Sequence, residues 1–65
     1  MKILVNGAWH DVVSANLQTA LAELGYENRT IATAVNTAFV PLTARTRTEL
    51  KDGDSLEIVS PMQGG

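Results

Sequence analysis

Leu17, Leu21 and Leu24 fall at i, i+4 and i+7, with Ala20 in the same stripe, and runs of β type flank them on both sides. That spacing predicts one short helix with a single apolar face. Asn16 stands where an N-cap is wanted, since its side-chain oxygen can accept a free backbone N–H of the first turn. Gly25 follows the last leucine and suits the left-handed position just past a helix end. A capping box would place Glu or Gln at position 19, which is Thr19, so the helix start relies on Asn16 alone. A helix this short draws most of its stability from packing, and the flanking runs must supply the sheet.

The first of those runs is Met1-Lys2-Ile3-Leu4-Val5, and a second spans Trp9 to Val13. Asn6-Gly7 between them is a strong hairpin signal, because both central residues of a type I′ turn need positive φ. Ile3 and Val5 point to one face of the first strand, Lys2 and Leu4 to the other. Ile31 to Val35 alternates large and small residues and reads as a third strand, although Thr33 stands where the alternation favours an apolar residue. Asn36-Thr37-Ala38 is a turn into a short strand, Phe39-Val40, that Pro41 ends. Leu42 to Leu50 has no clear period and is read as an irregular connection with one helical turn. Asp52-Gly53-Asp54 is a further turn. Ser55 to Val59 is the last strand, with Leu56 and Ile58 inward, and Pro61 stops it.

The first and last strands are apolar on both faces, which suits central neighbours, and the helix provides the crossover that parallel pairing between them requires. The expected class is α+β: a mixed sheet with one main helix packed across one face, the β-grasp or ubiquitin-like arrangement. Residues 1–60 form this domain, and 61–65 form a flexible C-terminal tail ending in Gly-Gly.

Composition narrows what such a domain can do. A 65-residue chain buries only about 60% of the surface its unfolded form exposes. No cysteine is present to staple it, but an apolar content of 45% suffices for a core. The net charge is −2 without a basic stripe, which argues against nucleic acid. Arg45 and Arg47 are read as a solvated loop. Met1 to Val5 is too short for a signal peptide or a membrane span, so a soluble, cytoplasmic protein is expected. No Gly-rich phosphate loop follows a strand. His10, the only histidine, is read as a polar residue on the outward face of a hairpin strand, and Asp52 and Asp54 as solvated turn residues. With neither a metal cluster nor a Cys/His nucleophile available, the chain is expected to bind no metal or cofactor and not to be an enzyme.

The tail is the remaining oddity. Its five residues, Pro61 to Gly65, reach at most about 16–18 Å when extended. That is enough to enter a partner's active site while the body stays outside. Two glycines pass a narrow channel without side-chain clashes and leave the terminal carboxylate unhindered. Adenylation turns a carboxylate oxygen into a leaving group, and a sulfur nucleophile can then displace the nucleotide to leave a thiocarboxylate.

Over essentially its whole length the sequence resembles the ThiS family, β-grasp sulfur carriers of thiamin thiazole biosynthesis. The resemblance lies in Met1-Lys2-Ile3-Leu4-Val5-Asn6-Gly7, in Asn16-Leu17 at the helix start, and in Ala34-Val35-Asn36 followed by Val40-Pro41. It continues through Leu50-Lys51-Asp52-Gly53-Asp54 and ends in Pro61-Met62-Gln63-Gly64-Gly65. It implies that a ThiF-type enzyme, using ATP and magnesium, adenylates the Gly65 carboxylate. Sulfur from a cysteine-derived persulfide, made by a donor such as a cysteine desulfurase, converts it to a thiocarboxylate. Thiazole synthase (ThiG-type) takes that sulfur, and Gly64 is the slender residue behind the reactive end.

Rival readings are a small subunit of molybdopterin synthase, a family that tends to be longer, a ubiquitin-like modifier that forms isopeptide bonds, and a plain interaction module with an inert tail. The expected docking surface is the sheet face opposite the helix, where Leu4, Ala32, Ala34 and Val59 form an apolar patch; Met62 and Gln63 extend it along the tail.

Overall fold

The chain first reverses at Asn6-Gly7, whose φ angles of 49° and 87° are those a type I′ turn demands. This turn joins β1 (Lys2–Val5) to β2 (Ala8–Asp11) in an antiparallel hairpin that pairs Leu4 with Trp9 and Val5 with Ala8. The computed structural model describes residues 1–26 and 30–60 of the chain. Next come α1 (Leu17–Glu23), β3 (Ala32–Val35) and β4 (Ala38–Val40). A 3-10 helix (Leu42–Arg47) and β5 (Ser55–Val59) complete the order. The five strands form one sheet in the order β2-β1-β5-β3-β4, with β1 and β5 parallel at its centre and all other neighbours antiparallel. One helix on one face of such a mixed sheet is a β-grasp fold, as expected.

Local chemistry accounts for the helix ends. The Asn16 side-chain oxygen accepts from the Thr19 N–H at 3.1 Å, and its amide nitrogen donates to the Thr46 carbonyl at 2.9 Å. In the absence of a capping-box glutamate, Ser14 Oγ accepts the Asn16 N–H at 3.0 Å. At the other end Gly25 takes φ +90°, its N–H bonds the Ala22 carbonyl, and the Tyr26 N–H bonds the Leu21 carbonyl. Those two bonds make a Schellman motif, which closes the helix without a side chain.

Leu17, Ala20 and Leu21 face the sheet and meet Ile3, Val5, Leu56 and Ile58 in one buried cluster, joined by Val12, Val40 and Leu50. The second strand ends earlier than the run of apolar residues suggests, since Val13 is 94% exposed. Glu23 holds that corner instead: its two carboxylate oxygens accept the Val13 and Ser14 N–H groups, each at 2.8 Å. Those bonds keep the Glu23 carboxyl below the ordinary carboxylate range. The β3–β4 turn is tighter than expected, with Asn36 and Thr37 both at positive φ and β4 beginning at Ala38.

Arg45 corrects the expectation of a solvated loop. It is buried, donating from Nε to Thr33 Oγ1 at 3.1 Å and from Nη2 to the Ile31 carbonyl. Thr33 in turn donates to the Val40 carbonyl at 2.8 Å. The polar residue that broke the β3 alternation is therefore the fully bonded partner of a buried guanidinium, which ties the 3-10 helix to the sheet.

Two stability tests follow from these bonds. Arg45→Met keeps the aliphatic stem but removes both donors, and is expected to cost about 1–3 kcal/mol, read as a lower urea midpoint at unchanged slope; an unchanged midpoint contradicts the role given to Arg45. The Glu23 pKa is lowered on folding, so its contribution is complete above the unfolded value of about 4.3 and is lost as pH falls through the folded one. Glu23→Gln is expected to melt below the parent protein at neutral pH and to converge on it as acid protonates the Glu23 carboxylate; a gap independent of pH contradicts the carboxylate's role.

Candidate functional site

β5 runs down the middle of the sheet and delivers the chain, through Ser60, to residues 61–65. Gly64 and Gly65, the expected reactive end, lie outside the described residues, as do Met62 and Gln63. What the structure places is the root of that segment and the face beside it.

The root is pinned on both edges. Towards β3, Ala32 pairs with Val59 and Thr33 with Ile58. Towards β1, the Leu4 N–H donates to the Asp54 carbonyl at 2.9 Å and the Asn6 N–H to the Leu56 carbonyl at 3.0 Å. The Asn6 side chain then accepts the Ile58 N–H at 2.8 Å and donates to the Ile58 carbonyl at 3.1 Å. Near the start of β5, Asn36 accepts the Ser55 N–H at 2.9 Å and donates to Asp54 Oδ1 at 3.0 Å. The Asn36 amide and then the Lys51 N–H hold the Asp54 carboxyl below its usual range.

The sheet face opposite α1 carries the expected patch. Leu4 is half-buried, while Val59 is 63% exposed beside Ala32. Ala34 lies between Phe39 and Glu57, and the small alanines leave a depression of about 170 Å³ bordered by Phe39, Glu57 and Val59. Two larger residues belong to this face and were not singled out from the sequence: Trp9, opposite Leu4 and 60% exposed, and Phe39, 67% exposed. The two-residue turn at Asn6-Gly7 was the signal for the first, because it sets Trp9 across from Leu4. The patch thus spans the sheet from edge to edge, with Glu57 as a charged group between its two halves and an exposed Lys2–Asp11 pair at 3.3 Å on one side. His10 is exposed, but its register with Ile3 puts it on the helix side of the sheet, not the outward face.

Among the described residues no group of three or more His, Cys, Asp or Glu is arranged to hold a metal. No helix among them is long and apolar enough to cross a membrane. The described residues thus form an open, partly apolar sheet face next to the point where β5 leads into residues 61–65.

Comparison with known proteins agrees with this architecture. A thiamine biosynthesis protein (ThiS) from Geobacter metallireducens has the same fold, with a TM-score of 0.82, 29% identity and full coverage of both chains. A thiazole synthase from Paramagnetospirillum magneticum is 35% identical over 66 residues. That alignment takes in all of this chain but spans only 20% of the relative. The ThiS family model matches residues 3–65, from the first strand through both terminal glycines. On that match and that fold, the chain belongs to the ThiS family.

Proposed function

We propose that this chain is a sulfur carrier for thiazole formation in thiamin biosynthesis, working through the carboxylate of Gly65. The observation that carries this reading is the family match, which runs unbroken from the folded body to Gly65. A carboxylate oxygen of Gly65 attacks the α-phosphorus of ATP and expels pyrophosphate, giving an acyl adenylate. The terminal sulfur of a cysteine-derived persulfide displaces AMP, and a thiol then cleaves the resulting acyl disulfide to leave the thiocarboxylate. ATP, magnesium and acid/base groups come from a ThiF-type adenylating enzyme, and the persulfide from a donor such as a cysteine desulfurase. The chain contributes the carboxylate, a slender approach through Gly64, and a docking surface, but no catalytic group of its own.

A ThiG-type thiazole synthase is the proposed acceptor of the sulfur. In support, the Paramagnetospirillum magneticum thiazole synthase contains, in one polypeptide, a stretch similar to this entire chain. The docking surface is the open sheet face: Leu4 and Val59, flanked by Trp9 and Phe39, with Met62 and Gln63 continuing it along the tail. Val59 borders the root of the tail, Phe39 lies nearer the middle of β5, and Leu4 and Trp9 lie level with Ser55 at its far end. An apolar face of that extent suits an interface core that closes while the tail enters a channel.

The test combines the chain, a ThiF-type enzyme, ATP and Mg²⁺, with pyrophosphate exchange as readout. Exchange is expected with the chain ending in Gly65 and is expected to vanish when Gly64 and Gly65 are deleted. Val59→Asp, at an exposed position, is expected to alter stability by about 1 kcal/mol or less. It is expected to raise the KM for the carrier by about tenfold, the loss of one apolar interface contact. No exchange, or exchange that survives the deletion, contradicts the carrier reading; an unchanged KM for Val59→Asp removes that face from the interface.

A further inference from the structure

Two asparagines occupy equivalent turns, and their amides grip opposite ends of β5. Asn6 ends β1 at φ 49°, and Asn36 ends β3 at φ 50°. Along the β1 edge of β5, main-chain bonds reach the carbonyls of Asp54 and then Leu56. The next residue facing that edge is Ile58, but by then the β1 backbone has turned away into the Asn6-Gly7 reversal. The Asn6 carboxamide takes over, accepting from the Ile58 N–H and donating to the Ile58 carbonyl at 2.8 and 3.1 Å, in place of the two backbone groups that a longer β1 would offer. This fork closes β5 on that edge. Ser60 follows, and Proline at position 61 holds the residue before it to extended conformations, so a direction set at Ile58 and Val59 is carried forward.

Resting on the carrier reading above, we infer that Asn6 is a positioning residue for the reactive tail. Its amide, together with the Ala32–Val59 pairing on the other edge, fixes the point and direction at which the chain leaves the sheet, relative to the docking face that begins at the adjacent Val59. Five residues extend at most about 16–18 Å, so the point from which they leave the sheet sets which region beside the docking face the terminal carboxylate can reach. A misplacement of about 1 Å can cost on the order of a hundredfold in a positioned reaction. Asn36 makes a comparable set of bonds, but to Ser55 and Asp54, remote along β5 from the tail root.

That contrast supplies the experiment. Asn6→Gly and Asn36→Gly each delete one carboxamide at a position whose positive φ glycine adopts freely, so the turns persist. In Asn6→Gly the Ile58 amide is expected to exchange hydrogen at least about tenfold faster, with no selective change there in Asn36→Gly. In steady-state adenylation with a ThiF-type enzyme, ATP and Mg²⁺, Asn6→Gly is expected to lower kcat about tenfold or more while KM stays within about twofold. Asn36→Gly, though destabilised, is expected to keep kcat within about twofold of the parent chain. Asn6→Asp keeps the acceptor and loses the donor, so its kcat is expected to fall between the two; it also decides the matter if Asn6→Gly does not fold. Equal kcat for the Asn6 variants and the parent, or an equal fall in Asn36→Gly, overturns the inference. Failure of the parent chain itself to be adenylated overturns the carrier reading and this inference with it, so the two failures are distinguishable.

Discussion

The β1–β5 pairing is the interaction on which the rest of the molecule depends. It is the one parallel contact of the sheet, joining the start of the chain to its end, and α1 is the crossover that makes it possible. Because the register sets Val5 against Leu56, it decides that Ile3, Val5, Leu56 and Ile58 share the helix face. By the same alternation it sends Leu4, Glu57 and Val59 to the open one. A slip by one residue would exchange the core and the open face. The Asn6 amide holds that register near the end of β5, and the Asn36 amide holds the β3–β5 register at its start, both at turns where positive φ is required anyway.

A domain this small has little apolar area to spare, and polar groups complete its packing. Arg45 and Thr33 join the 3-10 helix to β3 and β4 through bonds that leave no described buried side-chain polar atom without a partner. Glu23 does the equivalent work at the surface, closing the corner between β2 and α1. The helix side is thus filled and bonded, whereas the opposite face keeps Trp9, Phe39 and Val59 exposed. The asymmetry leaves on the open face exposed apolar groups that the fold does not cover.

Features set by neighbours in sequence were legible before the fold was known. Asn6-Gly7, the Asn16 cap, the leucine stripe and the Gly25 terminus each act within a few residues, and the structure has them where they were expected. The central parallel pair was legible because strands apolar on both faces have to lie inside a sheet. Arg45 was not, since its partner Thr33 is 12 positions away and nothing local distinguishes a buried guanidinium from a solvated one. The β3–β4 turn was read one residue too long, because a β-branched residue such as Thr37 rarely adopts φ of 72°. Without that turn, Phe39 could not be set beside Ala34, and half of the open face went unread. As for the reactive end, its two glycines suggest a role only through their chemistry and through membership of the ThiS family.

Under the proposed function the folded body presents one carboxylate to the enzymes that act on it. The most direct test of that claim is the intact mass of the native chain, isolated from cells grown without thiamin. A gain equal to the exchange of one oxygen for sulfur, mapped to Gly65, is the expected result. A mass that stays unmodified, even after incubation with a ThiF-type enzyme, ATP and a sulfur donor, would contradict it.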